Sequence, residues 1–240
     1  MNDVPSGNFA ATRWTLVARA RGDDPTARLA LSELCEAYYA PVVSFLRAEG
    51  RSEDAARELA HEFFARVLAG QSLSGAEAGR GRFRSYLLGA VKHFLADHRD
   101  HVQREKRGGG AVPEALDAPG TDTSPGLQVP DPCRPPDAAF DRQWAMTLLD
   151  RALSSLDEEM RVEGKADLFA VLKPWLTGDR APLSQAEAAV QLGLSEGAVK
   201  VAVHRLRRRF RDMVVTEIAA TLDPTASAEE ELRHLLAALA

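Results

Sequence analysis

The side chains best equipped for chemistry in this chain are cations and histidines, and their spacing separates two kinds of work. Lys200, His204, Arg205 and Arg208 recur at intervals of three or four, so on a helix they share one face, with Arg207, Arg209 and Arg211 close by. Such a face holds phosphates by charge and reads base edges by hydrogen bonds. A second basic stretch carries Arg80, Arg82, Arg84, Lys92, His93, Arg99, Arg104, Lys106 and Arg107 around Phe83 and Tyr86. Cations beside aromatic rings suit single-stranded or distorted nucleic acid, whose bases stack on the rings. A metal centre has weaker grounds. His61, Glu62, His93, His98 and His101 carry ligand atoms, but His93 and His98 are five apart and fall on different helix faces, and no HExxH pattern occurs. Cys35 and Cys133 stand far apart in no metal or redox spacing. The sequence therefore predicts no catalytic residue, no metal and no cofactor.

The elements that must position these groups are helices. Over residues 183–211 two short helices are broken by Leu192-Gly193-Leu194. Ser184 with Glu187 forms a capping box for the first, and Ser195 is an N-cap for the second. Ala188, Ala189, Leu192, Val199, Val203, Leu206 and Phe210 are spaced to pack the two together as a helix-turn-helix with a basic second helix. Upstream, Ser52 caps a helix with Glu53 and Asp54 in its first turn. Its stripe is Ala56, Leu59, Ala60, Phe63, Phe64, Val67 and Leu68, and its other face is Arg57, Glu58, His61, Glu62 and Arg66. Phe83, Tyr86, Leu87, Ala90, Val91, Phe94 and Leu95 repeat the pattern in the basic stretch. A helix is expected from Thr12, another over 27–46 that Pro41 must kink or interrupt, and a last one over 226–239 with Leu232, Leu235, Leu236 and Leu239 on one side. Residues 70–81 read as a glycine-rich loop. No segment reads as a strand, so the expected fold class is all-α.

Charge is divided along the chain. The total is −5, from 30 Lys and Arg against 35 Asp and Glu, with 45% hydrophobic and 27% charged residues. Residues 180–211 carry seven cations against two anions and residues 80–107 eight against three, so each stretch is +5. Residues 111–140 are −4 and residues 212–240 are −5. Local clustering makes an electrostatic footprint, so overall acidity does not argue against nucleic acid. No apolar run approaches the roughly 20 residues that span a bilayer, and MNDVPSGNFA has no signal-peptide core, so a cytoplasmic protein without membrane contact is expected. The expected organisation is an N-terminal extension (1–29), a helical domain (30–107), a Pro-, Asp- and Gly-rich flexible linker (108–140), a helix-turn-helix domain (141–215) and an acidic helical extension (216–240).

Taken in order, these features resemble the bacterial RNA polymerase sigma factors of the extracytoplasmic-function (ECF) type. Asp54-Ala55-Ala56-Arg57-Glu58-Leu59-Ala60-His61-Glu62-Phe63-Phe64 is similar to the family's helix that docks on the polymerase clamp. Phe83-Arg84-Ser85-Tyr86-Leu87 with Asp97-His98-Arg99 is similar to the segment that opens and reads the downstream promoter box. Leu183-Ser184-Gln185 through His204-Arg205 is similar to the upstream-box reader, including its Ala198-Val199-Lys200 opening. The resemblance makes residues 30–107 like sigma domain 2 and 141–215 like sigma domain 4. It implies a non-enzymatic factor whose partners are core RNA polymerase, promoter DNA and an anti-sigma or other regulatory protein. The implied DNA contacts are Lys200, His204, Arg205 and Arg208 upstream and Arg82, Arg84, Tyr86, Lys92, His93 and Arg99 downstream. The implied polymerase contacts are Glu58, His61, Glu62 and Arg66. Tyr86 stands where the family often has Trp, His93 where it often has Asn, and His61 where Gln is typical. Val201 and Ala202 replace polar or basic residues, which predicts altered base contacts. The alternative is a free-standing helix-turn-helix regulator acting without polymerase, which leaves residues 54–107 unexplained. The acidic, leucine-striped tail is expected to fold back on the basic recognition helix or to dock a regulatory partner.

Overall fold

The computed structural model describes residues 25–69, 82–108, 135–178, 183–222 and 227–239, which hold helices and turns and no strand. The fold class is all-α, as the periodicity predicts. The helices are α1 (Pro25–Ala48), α2 (Glu53–Leu68), α3 (Phe83–Gly108), α4 (Pro136–Val162), α5 (Ala166–Leu172), α6 (Pro174–Thr177), α7 (Gln185–Leu192), α8 (Glu196–Thr221) and α9 (Ala228–Leu239). The helix expected from Thr12, the loop 70–81 and residues 109–134 of the expected linker lie outside the described residues. Two compact units are present: residues 1–147 with 219–240, and residues 148–218.

In the first unit, α1, α2 and α3 bury the faces their spacing marks. Tyr38, Val42, Phe45 and Leu46 of α1 meet Leu59, Phe63, Phe64 and Val67 of α2 and Phe83, Leu87, Val91 and Phe94 of α3 as a buried core. Aromatic edges lock it: the Tyr38 and Phe83 rings lie 5.2 Å apart and those of Phe63 and Phe94 5.7 Å, both edge-to-face. Ser52 caps α2 by accepting the Ala55 N–H at 3.3 Å. Pro41 lies inside α1 and does not interrupt it. Val42, Val43, Phe45 and Leu46 beyond the proline are all buried. Burying such side chains contributes roughly 1.5–3 kcal/mol each, which outweighs the ~3 kcal/mol that an internal proline costs.

The second unit is built on the junction the sequence marked most clearly. Leu156 and Met160 of α4, Phe169 and Leu172 of α5, Ala188 and Ala189 of α7 and Val199, Val203 and Leu206 of α8 form one buried cluster, with Leu192 and Phe210 packed at its edge. The capping box at α7 is complete: Ser184 Oγ accepts the Glu187 N–H at 3.3 Å, and Glu187 Oε2 accepts the Ser184 N–H at 2.7 Å. Gly193 ends α7 at φ 64°, a left-handed turn that a side chain would strain. Ser195 then starts α8 by accepting the Ala198 N–H at 3.2 Å. Arg209 ties α8 to the end of α4, donating to Glu159 at 2.5 Å and to Glu163 at 2.6 Å. The Arg209 hydrogen bond, then that of Lys165, pulls the Glu163 carboxyl down to about 2.

Two expectations follow. Ser184→Ala removes a helix cap and should lower stability by about 1 kcal/mol, read as a shifted denaturant midpoint with unchanged slope. Glu163 has a folded value below its ordinary 4.5, so its contribution is full above pH 4.5 and disappears as pH falls toward about 2. Glu163→Gln should therefore lower the melting temperature at neutral pH and converge with the parent in acid. Because the pair is exposed, added salt should shrink the difference; a gap that persists at low pH would rule out the ion pair as its cause.

Candidate nucleic-acid interface

The cations of α8 divide into two sets. Arg209 is bound to Glu159 and Glu163, and the Arg207 guanidinium donates twice to the Trp175 carbonyl, at 3.1 and 3.3 Å. Both hold the second unit together. Lys200, His204, Arg205 and Arg208 are exposed and form no side-chain hydrogen bond or ion pair among the described residues. They lie on one face because the opposite face, Val199, Val203 and Leu206, is buried in the core. Val201 sits among them, 50% exposed. The face is a row of unneutralised cations with an apolar residue between them.

On α3 the cations are arranged differently. Arg82 Nε meets Glu231 at 2.6 Å, and Arg84 Nε meets the other oxygen of the same carboxylate at 2.6 Å. Arg84 also binds Asp141 and lies over the Trp144 ring, 5.0 Å from its centre. Lys92 pairs with Asp137 at 2.8 Å and Arg99 with Glu49 at 2.8 Å. Arg84 is only 5% exposed. Of the residues implied as downstream DNA contacts, it is the one turned fully inward, because carboxylates and an indole ring from α4 and α9 replace its water.

Another side of α3 is open. Tyr86, Gly89, Ala90, His93 and Asp97 recur at three- and four-residue spacing and, with Ser85, Phe94 and Arg66 of α2, line a cavity of about 430 Å³. That lies at the small end of the range of about 300–1,000 Å³ for small-molecule pockets. Two aromatic rings, one imidazole, one guanidinium and one carboxylate line it. Tyr86 and His93 were marked by the sequence; Arg66, marked there for polymerase, belongs to this wall. Ser85, Gly89 and Asp97 were missed. The signal for them was the stripe itself, in which Gly89 and Ala90 supply the space that larger residues would fill.

The remaining residues implied as polymerase contacts sit on α2. Glu58 is exposed. His61 stacks on Tyr39 at 5.2 Å and shares a hydrogen bond of 3.0 Å with its hydroxyl. Glu62 pairs with Arg66 at 2.7 Å, and His98 Nδ1 approaches Glu62 at 3.7 Å. Arg66 also covers the Phe94 ring at 4.8 Å. The histidines thus have separate partners, and among the described residues no three His, Cys, Asp or Glu side chains group as metal ligands. The tail helix α9 finds its partners in the first unit: Glu231 on Arg82 and Arg84, His234 on Asp141 at 3.2 Å, and the Leu239 carbonyl on Arg142 at 2.8 Å. Within this unit the buried carboxylate of α9 thus lies between the two arginines at the start of α3.

No helix among the described residues is long and apolar enough to cross a membrane. No curated protein and no solved structure matches the chain. The family model for ECF sigma factors matches residues 15–216, covering both basic helices and the helical elements that carry them. The chain therefore belongs to the ECF sigma factor family.

Proposed function

We propose that this chain docks on core RNA polymerase, directs it to promoters by reading an upstream box with α8, and assists opening by holding an unpaired base of the downstream box beside α3. The observation that carries the reading is the division of cations on α8. Arg209 is neutralised by carboxylates and Arg207 is tied to a backbone carbonyl, while Lys200, His204, Arg205 and Arg208 have no side-chain partner among the described residues. The like charges of Lys200, Arg205 and Arg208 on one helix face repel, and a polyanion relieves that repulsion. A helix of this width enters the major groove, where Lys and Arg read guanine and an apolar side chain such as Val201 contacts a thymine methyl.

The α3 cavity supplies the second half. Unstacking a base costs a few kcal/mol, and stacking on one aromatic ring returns about 1–3 kcal/mol. Tyr86 alone thus comes close to balance, and hydrogen bonds from Arg66, His93 and Asp97 at the base edge would complete it. Arg82, Lys92 and Arg99 are placed to follow the strand's phosphates. The exposed charges of α2, Glu58 and Glu62 with His61, form the polymerase-facing set. The chain itself performs no bond-making step in this account; it changes which DNA the polymerase engages.

Pull-down of the full chain with core polymerase, followed by sequencing of the DNA retained, tests the reading. Enrichment of two-box promoters is expected, lost together with the upstream box preference in Arg205→Ala. Tight, specific DNA binding by the isolated chain without polymerase capture would instead identify a free-standing regulator. Gly89→Leu tests the cavity. A Cβ at this position meets nothing within 4 Å, and leucine favours helix by ~1 kcal/mol over glycine, so folding should be intact. Permanganate footprinting should then show promoter binding with at least a tenfold loss of opened strands, equivalent to about 1.4 kcal/mol. Normal opening by this variant would remove the cavity from the account.

A further inference from the structure

The anion site made by Arg82 and Arg84 is already occupied by the chain itself. Glu231 is 1% exposed and presents one carboxylate oxygen to each arginine at 2.6 Å. Carboxylate and phosphate share the chemistry that guanidinium forks recognise, paired acceptor oxygens with negative charge. The helix that delivers this carboxylate lies beyond residue 216, where the match to the family model ends.

We propose that α9 is an internal competitor for nucleic-acid phosphates. It holds the Arg82–Arg84 site closed until a DNA strand, or the polymerase that brings it, displaces Glu231. This rests on the reading of α3 as a strand-binding helix. The attachment of α9 suits a latch rather than a permanent strut. Its buried side chains are Glu231 and Leu235, so an ion pair carries much of the contact. With 12 residues it is at the length where an isolated helix is marginal in water, so once undocked it melts instead of persisting as a rigid obstacle. Two exposed glutamates in its first turn, Glu229 and Glu230, repel an approaching strand while it is docked. Once it leaves, Arg82 loses its partner, and Arg84 keeps Asp141 and the Trp144 ring.

The test uses the full chain, its Glu231→Gln variant and an oligothymidylate of about 12 nucleotides as the phosphate probe. If α9 closes the site nine-tenths of the time, Glu231→Gln should bind about tenfold tighter. Its log affinity should also fall more steeply with log salt, by about 1.4, for two added phosphate contacts on a single strand. Unchanged or weaker binding by a variant of normal helicity, or no binding by either protein, overturns the proposal. If the variant loses helicity, hydrogen exchange on the parent decides: amides of 228–239 should lose protection when the probe saturates the protein, and unchanged protection overturns the proposal. Polymerase capture by the same two proteins reports separately on the sigma reading. Capture with no effect of Glu231→Gln on the probe leaves that reading standing and removes the competitor.

Discussion

A carboxylate cannot stay ionised at 1% exposure without cations around it, and this constraint organises the first unit. Glu231 is held there by Arg82 and Arg84, and Arg84 in turn requires Asp141 and the face of Trp144. The start of α3, the first residues of α4 and the tail helix are therefore mutually dependent. Each supplies a charge that the others need in order to be dry.

That dependence explains why α3 has two characters. Where acidic side chains from neighbouring segments reach it, its cations are neutralised: Arg82, Arg84, Lys92 and Arg99 all end on carboxylates. Where none reaches, Tyr86, His93 and Asp97 stand around an open cavity. Basic charge is thus no guide by itself to the surface that meets nucleic acid. On α8 the same rule gives the opposite outcome, since Glu159 and Glu163 satisfy only Arg209 and leave the outer face charged.

The second unit shows the economy of a small helical module. One cluster of nine buried residues joins four helices, and the turn at Gly193 requires only a residue tolerant of positive φ. Caps at Ser184 and Ser195 aim α8 with hydrogen bonds close to the chain, so the exposed face is presented by short-range interactions. A helix held this way has little freedom to rotate, and the direction of its exposed side chains follows from its core.

Much of this was legible in the sequence. The all-α class, the caps at Ser52 and Ser184, the turn at Gly193 and the packing of Ala188, Val199 and Leu206 all arise from neighbours within a few residues, where helical periodicity is a reliable guide. The partnerless face Lys200, His204, Arg205 and Arg208 was visible for the same reason. That α1 continues through Pro41 needed more than local preference, because burial of the residues beyond it, a tertiary effect, offsets the cost of the proline. The state of Arg82 and Arg84 lay beyond the sequence altogether: their partner Glu231 is about 150 residues away, and no periodicity encodes a pairing over that separation. The cavity likewise needed α2 to bring Arg66 opposite Tyr86 and His93. Sequence determined which helices form and which faces they bury; only the tertiary structure decided which charges remain for a ligand, because neutralisation depends on what packs nearby rather than on what is adjacent in the chain.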